Sequence, residues 1–189
     1  MPAASSIRLY HTGFEEIRSP DLKRGRKSAD FGQGFYLTPN AEFAGRWAQL
    51  RRGACTYVNA YELDAAGLCV HRLERNTIWF DYIFANRAGR PDRLMEADVI
   101  IGPIANDTIY ETYGIITSGY LSRVEALALL RIGPAYEQLV VKSEKALRWL
   151  KWVSSTVLTE AQVKANQEQL IKEQAAYQTR FADVMAGFG

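Results

Sequence analysis

Few side chains in this sequence carry chemistry, and they fall in five places. His11 ends Ile7-Arg-Leu-Tyr-His11, just before Thr12-Gly13. Asp30-Phe-Gly-Gln-Gly-Phe-Tyr-Leu-Thr38 places Gly32 and Gly34 around Gln33 and then runs into Phe35 and Tyr36. Glycine is the residue for a sharp turn or for close approach of a ligand to backbone. A turn before a strand needs no ligand, so both readings stand for this stretch alone. Lys23, Arg24, Arg26 and Lys27 form a basic cluster leading to that turn, either a solvated loop or a site that meets a diphosphate. Trp47 lies downstream, as core packing or as a second aromatic face, and Glu137-Gln138 opens a late apolar run. His11 alone fits equally a strand-end histidine satisfied by backbone.

Stepping outward from these residues, the hydrophobic pattern supplies the elements that must hold them. Residues 7–11 alternate as a first strand, and Phe35-Tyr-Leu-Thr38 has strand propensity. Residues 14–30 are irregular, with Ser19-Pro20-Asp21 as a turn. Phe43, Ala44, Trp47 and Leu50 make one apolar helix face over residues 40–50, closed by Gly53. Cys55–Leu63 is a strand, and residues 68–71 are a short extended piece whose His71 is structural or exposed. Asn76–Arg87 is an amphipathic helix, and Asp98–Ile101 is a fully apolar strand ending at Gly102-Pro103. Residues 108–114 are expected to be helical, as are Leu121–Leu130 with Ser122 as cap. Glu137–Val141 is a strand, and Ser143–Leu150 a helix. This is an α+β pattern.

Thr159-Glu-Ala-Gln162 has the form of a capping box. Beyond it Val163, Leu170, Tyr177 and Val184 recur every seven residues, widened by Phe181 and Met185. A stripe so narrow suits a single seam, formed on the domain or with a partner helix.

Bulk properties exclude several classes. The chain has 189 residues, 48% hydrophobic and 23% charged, with a net charge of +2. That is enough for one domain with a real core, and the charge does not demand a nucleic-acid partner. Cys55 and Cys69 sit among apolar residues without metal-like spacing, so buried free thiols, a cytoplasmic location and no metal are expected. No apolar stretch reaches the roughly 20 residues of a membrane helix, and the N-terminus has no signal-peptide pattern.

In order along the chain, Leu-Tyr-His11-Thr-Gly, Gly-x-Gly-x-Tyr36-Leu and a late strand with Gln138 resemble the ADP-ribosyltransferase superfamily. The likeness is to its His-Tyr-Glu branch, which includes the poly-ADP-ribose polymerases. The spacing from Tyr36 to Trp47 is similar to that of the two aromatics that sandwich nicotinamide there. The longer string from Asp30 to Thr38, Asn86-Arg87, the run from Val99 to Asp107, and Glu137-Gln138 also resemble a bacterial ADP-ribosyltransferase-like family of suspected toxins or effectors. These are often encoded beside a small partner protein. The resemblance covers residues 7–150.

It implies a split β-sheet core with flanking helices as the catalytic domain over 7–150, and a long C-terminal helical appendage over 159–187. It implies an NAD-dependent mono-ADP-ribosyltransferase that modifies an intracellular protein or nucleic acid and releases nicotinamide, the alternatives being an NAD glycohydrolase or an inactive NAD-binding module. His11, Tyr36 and Gln138 would be the catalytic set. Thr12, Gly13, Arg26, Gly34, Trp47, Asn86 and Asp107 would bind NAD, and a small antitoxin would be a partner. Most active relatives carry glutamate where Gln138 stands, while glutamine also stands there in the resembling bacterial family. An amide can hydrogen-bond a ribose hydroxyl but brings no charge to an oxocarbenium-like centre. Strand neighbours face opposite sides, so either Gln138 or Glu137 points inward, and the resemblance to the bacterial family favours Gln138.

Overall fold

A computed structural model describes residues 6–109, 114 and 118–188. Seven strands and six helices follow in the order β1 (Ser6–Gly13), β2 (Phe35–Leu37), α1 (Ala41–Arg46), β3 (Thr56–Asp64), β4 (Val70–Arg72), α2 (Thr77–Arg87), β5 (Val99–Pro103), α3 (Asn106–Ile109), α4 (Arg123–Leu130), β6 (Glu137–Val141), α5 (Glu144–Leu147), β7 (Leu150–Leu158) and α6 (Glu160–Ala186), counted among the described residues. The fold is α+β with two sheets. One has the order β1-β3-β7 and is antiparallel throughout; the other has the order β2-β6-β5-β4, parallel only between β5 and β4. A bridge between Tyr10 and Thr38 joins the sheets.

Alternation along the strands sorts the core into two layers. Leu9, Phe35, Leu37, Tyr61, Leu63, Val99, Ile101, Leu139 and Val141 fill the space between the sheets. The intervening Tyr36, Ile100 and Val140 face the other way, into a helical layer with Trp79, Ile83, Leu129 and Leu130. β5 and β6 are therefore covered on both faces, which is why residues 99–101 and 139–141 read as unbroken apolar runs.

Three elements differ from the sequence expectation. The helix starting at Asn40, whose side chain accepts from Phe43 N at 2.8 Å, ends at Arg46 with Trp47 as its cap. The chain then turns through an Arg51–Ala54 bridge, and Thr56 Oγ1 donates to the Gln49 carbonyl, so residues 48–50 are pulled out of helical register. The helix from Ser143 stops at Leu147, and residues 150–158 form β7 along β3. Trp152, Val153, Thr156 and Val157 are strong strand formers that signal this strand. The expected helix over 108–114 lies for the most part outside the described residues.

The cysteine expectation is corrected. Both thiols are free, but Cys55 and Cys69 are exposed. Cys55 leaves the 51–54 turn before β3 becomes covered, and Cys69 leads into the fully exposed edge strand β4.

The seam on α6 packs back on the domain. Val163, Tyr177 and Phe181 are buried, Leu170, Val184 and Met185 are partly so, and Tyr177 and Phe181 join the same core layer as Trp79. Thr159 and Gln162 close the capping box at its start. Close approach to α1 depends on Gly45, where a Cβ would stand 2.9 Å from the Asn166 amide, and Glu173 meets Arg46 Nε at 3.2 Å. Among the described residues no helix is long and apolar enough to cross a membrane.

Candidate functional site

Where β1 and β2 part beyond their bridge, a cavity of about 430 Å³ opens. Tyr10 and Thr38 exchange backbone bonds of 2.8 and 3.0 Å, and past them β1 runs on alone beside β3. Because Tyr10 spends its N–H and C=O on the β2 side, Thr12, two residues on, turns its own N–H and C=O the same way, into the gap. Tyr36 and Gln138 line the cavity from β2 and β6, and Phe43, Ala44 and Trp47 line it from α1. Arg26, Ala29 and Asp30 close it from the loop.

His11 Nδ1 lies 2.8 Å from the Tyr36 carbonyl. A carbonyl only accepts, so Nδ1 carries the proton and Nε2 of the neutral ring keeps a lone pair. Burial lowers the His11 pKa below its usual value, with the Tyr36 carbonyl opposing in part, so the ring is neutral near pH 7. Tyr36 uses its hydroxyl structurally. It accepts from Phe31 N at 2.9 Å and donates to the Gly32 carbonyl at 2.7 Å, while burial pushes its pKa far above the phenol range. What Tyr36 offers the cavity is its ring.

Gln138 is 8% exposed, and its Nε2 is buried without a hydrogen-bond partner among the described residues. An orphaned amide donor in a cavity wall is costly unless something enters to accept from it. Glu137 lies on the opposite face of β6, half-exposed, with Arg72 Nη1 2.6 Å from its carboxylate. Gln138, not Glu137, faces the cavity.

The turn over residues 30–34 is tied down on every side. Asn86 Nδ2 donates to the Asp30 carbonyl at 2.9 Å, and Lys142 Nζ donates to the Phe31 carbonyl at 2.7 Å. Gln33 Nε2 reaches the Lys23 and Gly25 carbonyls, each at 3.0 Å, and so fixes the basic loop to the turn. Gly32 has φ of +76°, the left-handed region that favours glycine. At Gly34 a Cβ would stand 2.5 Å from the Val141 carbonyl, so only glycine lets the turn lie flat on β6. Arg87 bridges Asp30 (2.7 Å) and Asp107 (2.7 and 3.1 Å). Burial works against its charge, yet the two carboxylates outweigh it and raise its pKa.

The structure thus brings His11, Thr12, Arg26, Tyr36, Trp47 and Gln138 to one cavity wall. Thr12 Oγ1 is committed to the Ala44 carbonyl at 2.6 Å, which leaves its backbone for a ligand. Gly13, Gly34, Asn86 and Asp107 are not on the wall. Gly34, Asn86 and Asp107 are buried behind it as parts of the turn's support, and Gly13 is the next residue of β1. The sequence reading did not pick out Phe43, Ala44 and Ile104 as lining residues, nor Lys142 as a clamp. Phe43 and Ala44 were visible only as an apolar helix face, and nothing in the sequence marked Lys142.

Among the described residues no cluster of His, Cys, Asp and Glu could hold a metal ion. A family model described as protein of unknown function (DUF3990) matches residues 7–152. No curated protein and no solved structure matches the chain.

Proposed function

We propose that this chain, which belongs to the DUF3990 family of proteins of unknown function, is an NAD-dependent mono-ADP-ribosyltransferase acting on a macromolecule. The observation that carries the proposal is the meeting of His11, Tyr36, Trp47 and Gln138, from four separate stretches of chain, around an open backbone pair at Thr12. The residues fit the two ends of the nicotinamide riboside half. The rings of Tyr36 and Trp47 offer faces to a cationic pyridinium. Thr12 offers a donor and an acceptor side by side, the complement of a carboxamide. His11 Nε2 accepts from a ribose hydroxyl, and the free Gln138 Nε2 donates to another. Arg26, exposed at the rim, meets a phosphate.

In the reaction the bond from ribose C1′ to nicotinamide breaks, its electron pair leaves with the now neutral ring, and an acceptor nucleophile bonds to C1′ and gives up a proton. The chain's part is positioning, which supplies a large share of such accelerations. Gln138 orients a hydroxyl without adding charge, which favours transfer to one acceptor site over chain growth. The same lack of charge favours, as a second reading, an NAD-binding module without turnover.

The test is incorporation of biotin-labelled ADP-ribose from NAD into lysate macromolecules. His11→Ala is expected to lose about 10²-fold, the scale of a misplaced reactant, with an unchanged far-ultraviolet circular dichroism spectrum. Full incorporation by a folded His11→Ala protein would refute the assignment.

A further inference from the structure

The loop that closes the first cavity also borders a second one of about 400 Å³, lined by Lys27, Gly32, Gln33, Arg90, Met95 and Lys142 with Asp92 among its remaining residues. Its size falls within the range of ligand sites. Three cations face one carboxylate there, and the carboxylate is already taken: Asp92 is paired with Lys142 and accepts from Tyr82 Oη at 2.7 Å. Lys27 and Arg90 are exposed, and neither side chain has an ion-pair partner among the described residues. Arg26, at the rim of the first cavity, is likewise exposed and unpaired, and Lys23 is held close by the bond from Gln33 to its carbonyl. Arg24, by contrast, is neutralised by Glu15 at 2.8 Å. An uncompensated cationic band therefore runs across the loop from one cavity to the other.

We propose that this band and the second cavity form a track for the backbone of a single-stranded nucleic acid, the acceptor in the transfer proposed above. The inference rests on that reading for the acceptor role alone. Spaced, exposed, unpaired cations are what repeating phosphates require, and releasing their counterions drives such binding. Met95, 69% exposed on the cavity wall, adds a soft apolar surface on which a base can lie. A concave site of this size admits one splayed strand, whereas a stiff duplex meets a protein on a broader face.

Binding of a fluorescein-labelled 12-nucleotide oligodeoxythymidine to the full chain, without NAD, tests the track by anisotropy over a salt series. Each phosphate contact on a single strand contributes a slope of about −0.7 in log K against log salt, or about fivefold at 0.1 M. Lys27→Ala with Arg90→Ala should therefore weaken binding about 25-fold at 0.1 M salt and make the slope shallower by about 1.4. Lys27→Arg with Arg90→Lys should keep most of the affinity, which separates charge from fold. Equal affinity in the alanine variant would overturn the proposal. So would displacement of the oligonucleotide by polyglutamate at matched charge, or preference for a duplex. Strand binding as expected, with the strand left unmodified when NAD is added, would overturn the acceptor role and leave the track standing.

Discussion

Replacing Arg87 by methionine removes the cation that two buried carboxylates share. Asp30 and Asp107 have side chains 11% and 0% exposed, so neither can turn to water when the guanidinium is lost. Methionine fills most of the space, which leaves the electrostatic loss as the main effect. Removing one partner of a buried ion pair costs about 3–5 kcal/mol, because the charge left behind is uncompensated. For a chain of this length each kcal/mol lowers the melting temperature by about 2–4 °C, so the variant should melt about 6–20 °C lower. Adding Asp30→Asn and Asp107→Asn removes the stranded charges and should restore most of the loss, since apolar or neutral replacements of whole buried ion networks are often tolerated. Thermal unfolding followed by circular dichroism reads both numbers. A drop under about 2 °C for Arg87→Met, or no recovery in the triple variant, would refute the view that this network holds the glycine turn.

Two further outcomes follow from the same geometry. The His11 pKa lies below 6.5, so nicotinamide release should be level above pH 6.5 and fall as pH drops through the folded value, when Nε2 takes a proton and can no longer accept. Stability should move with the same sign, His11 contributing above pH 6.5 and losing its contribution on acidification; loss of activity on the alkaline side instead would contradict the neutral-ring assignment. Gly34→Ala should cost about 1–3 kcal/mol or more in a urea titration, because its Cβ would sit 2.5 Å from the Val141 carbonyl, and an unchanged midpoint would show that β2 and β6 can separate.

Much of the fold was legible because strand and helix periods are strong where one or both faces are buried. β1, β3, β5, β6, α2 and α4 follow their apolar patterns closely, and the caps at Ser122 and Thr159 form as their sequences suggest. β7 was missed because Ser143-Glu144-Lys145 starts a real helix whose end carries no glycine or proline signal. The cysteines misled because apolar neighbours in sequence do not bury a residue that leaves a turn, as Cys55 does, or leads into an edge strand, as Cys69 does. The motifs that resemble the ADP-ribosyltransferases anticipated that His11, Tyr36, Trp47 and Gln138 would come together, and the structure brings them to one cavity wall. Asn86 and Asp107 stood out equally in the sequence, but they face Asp30 and Arg87 rather than the cavity, a distinction that only tertiary packing makes. The seam on α6 was clear, while its occupant, the domain itself through Gly45 and Arg46 of α1, was not.

The most direct test of the central claim is to incubate the purified protein with NAD and quantify free nicotinamide, with and without cell lysate. The account predicts slow release in buffer and a sharp rise with lysate, lost in His11→Ala. Release that is equal with and without lysate would make the chain a glycohydrolase, and no release in either condition while NAD still binds would contradict the transferase assignment outright.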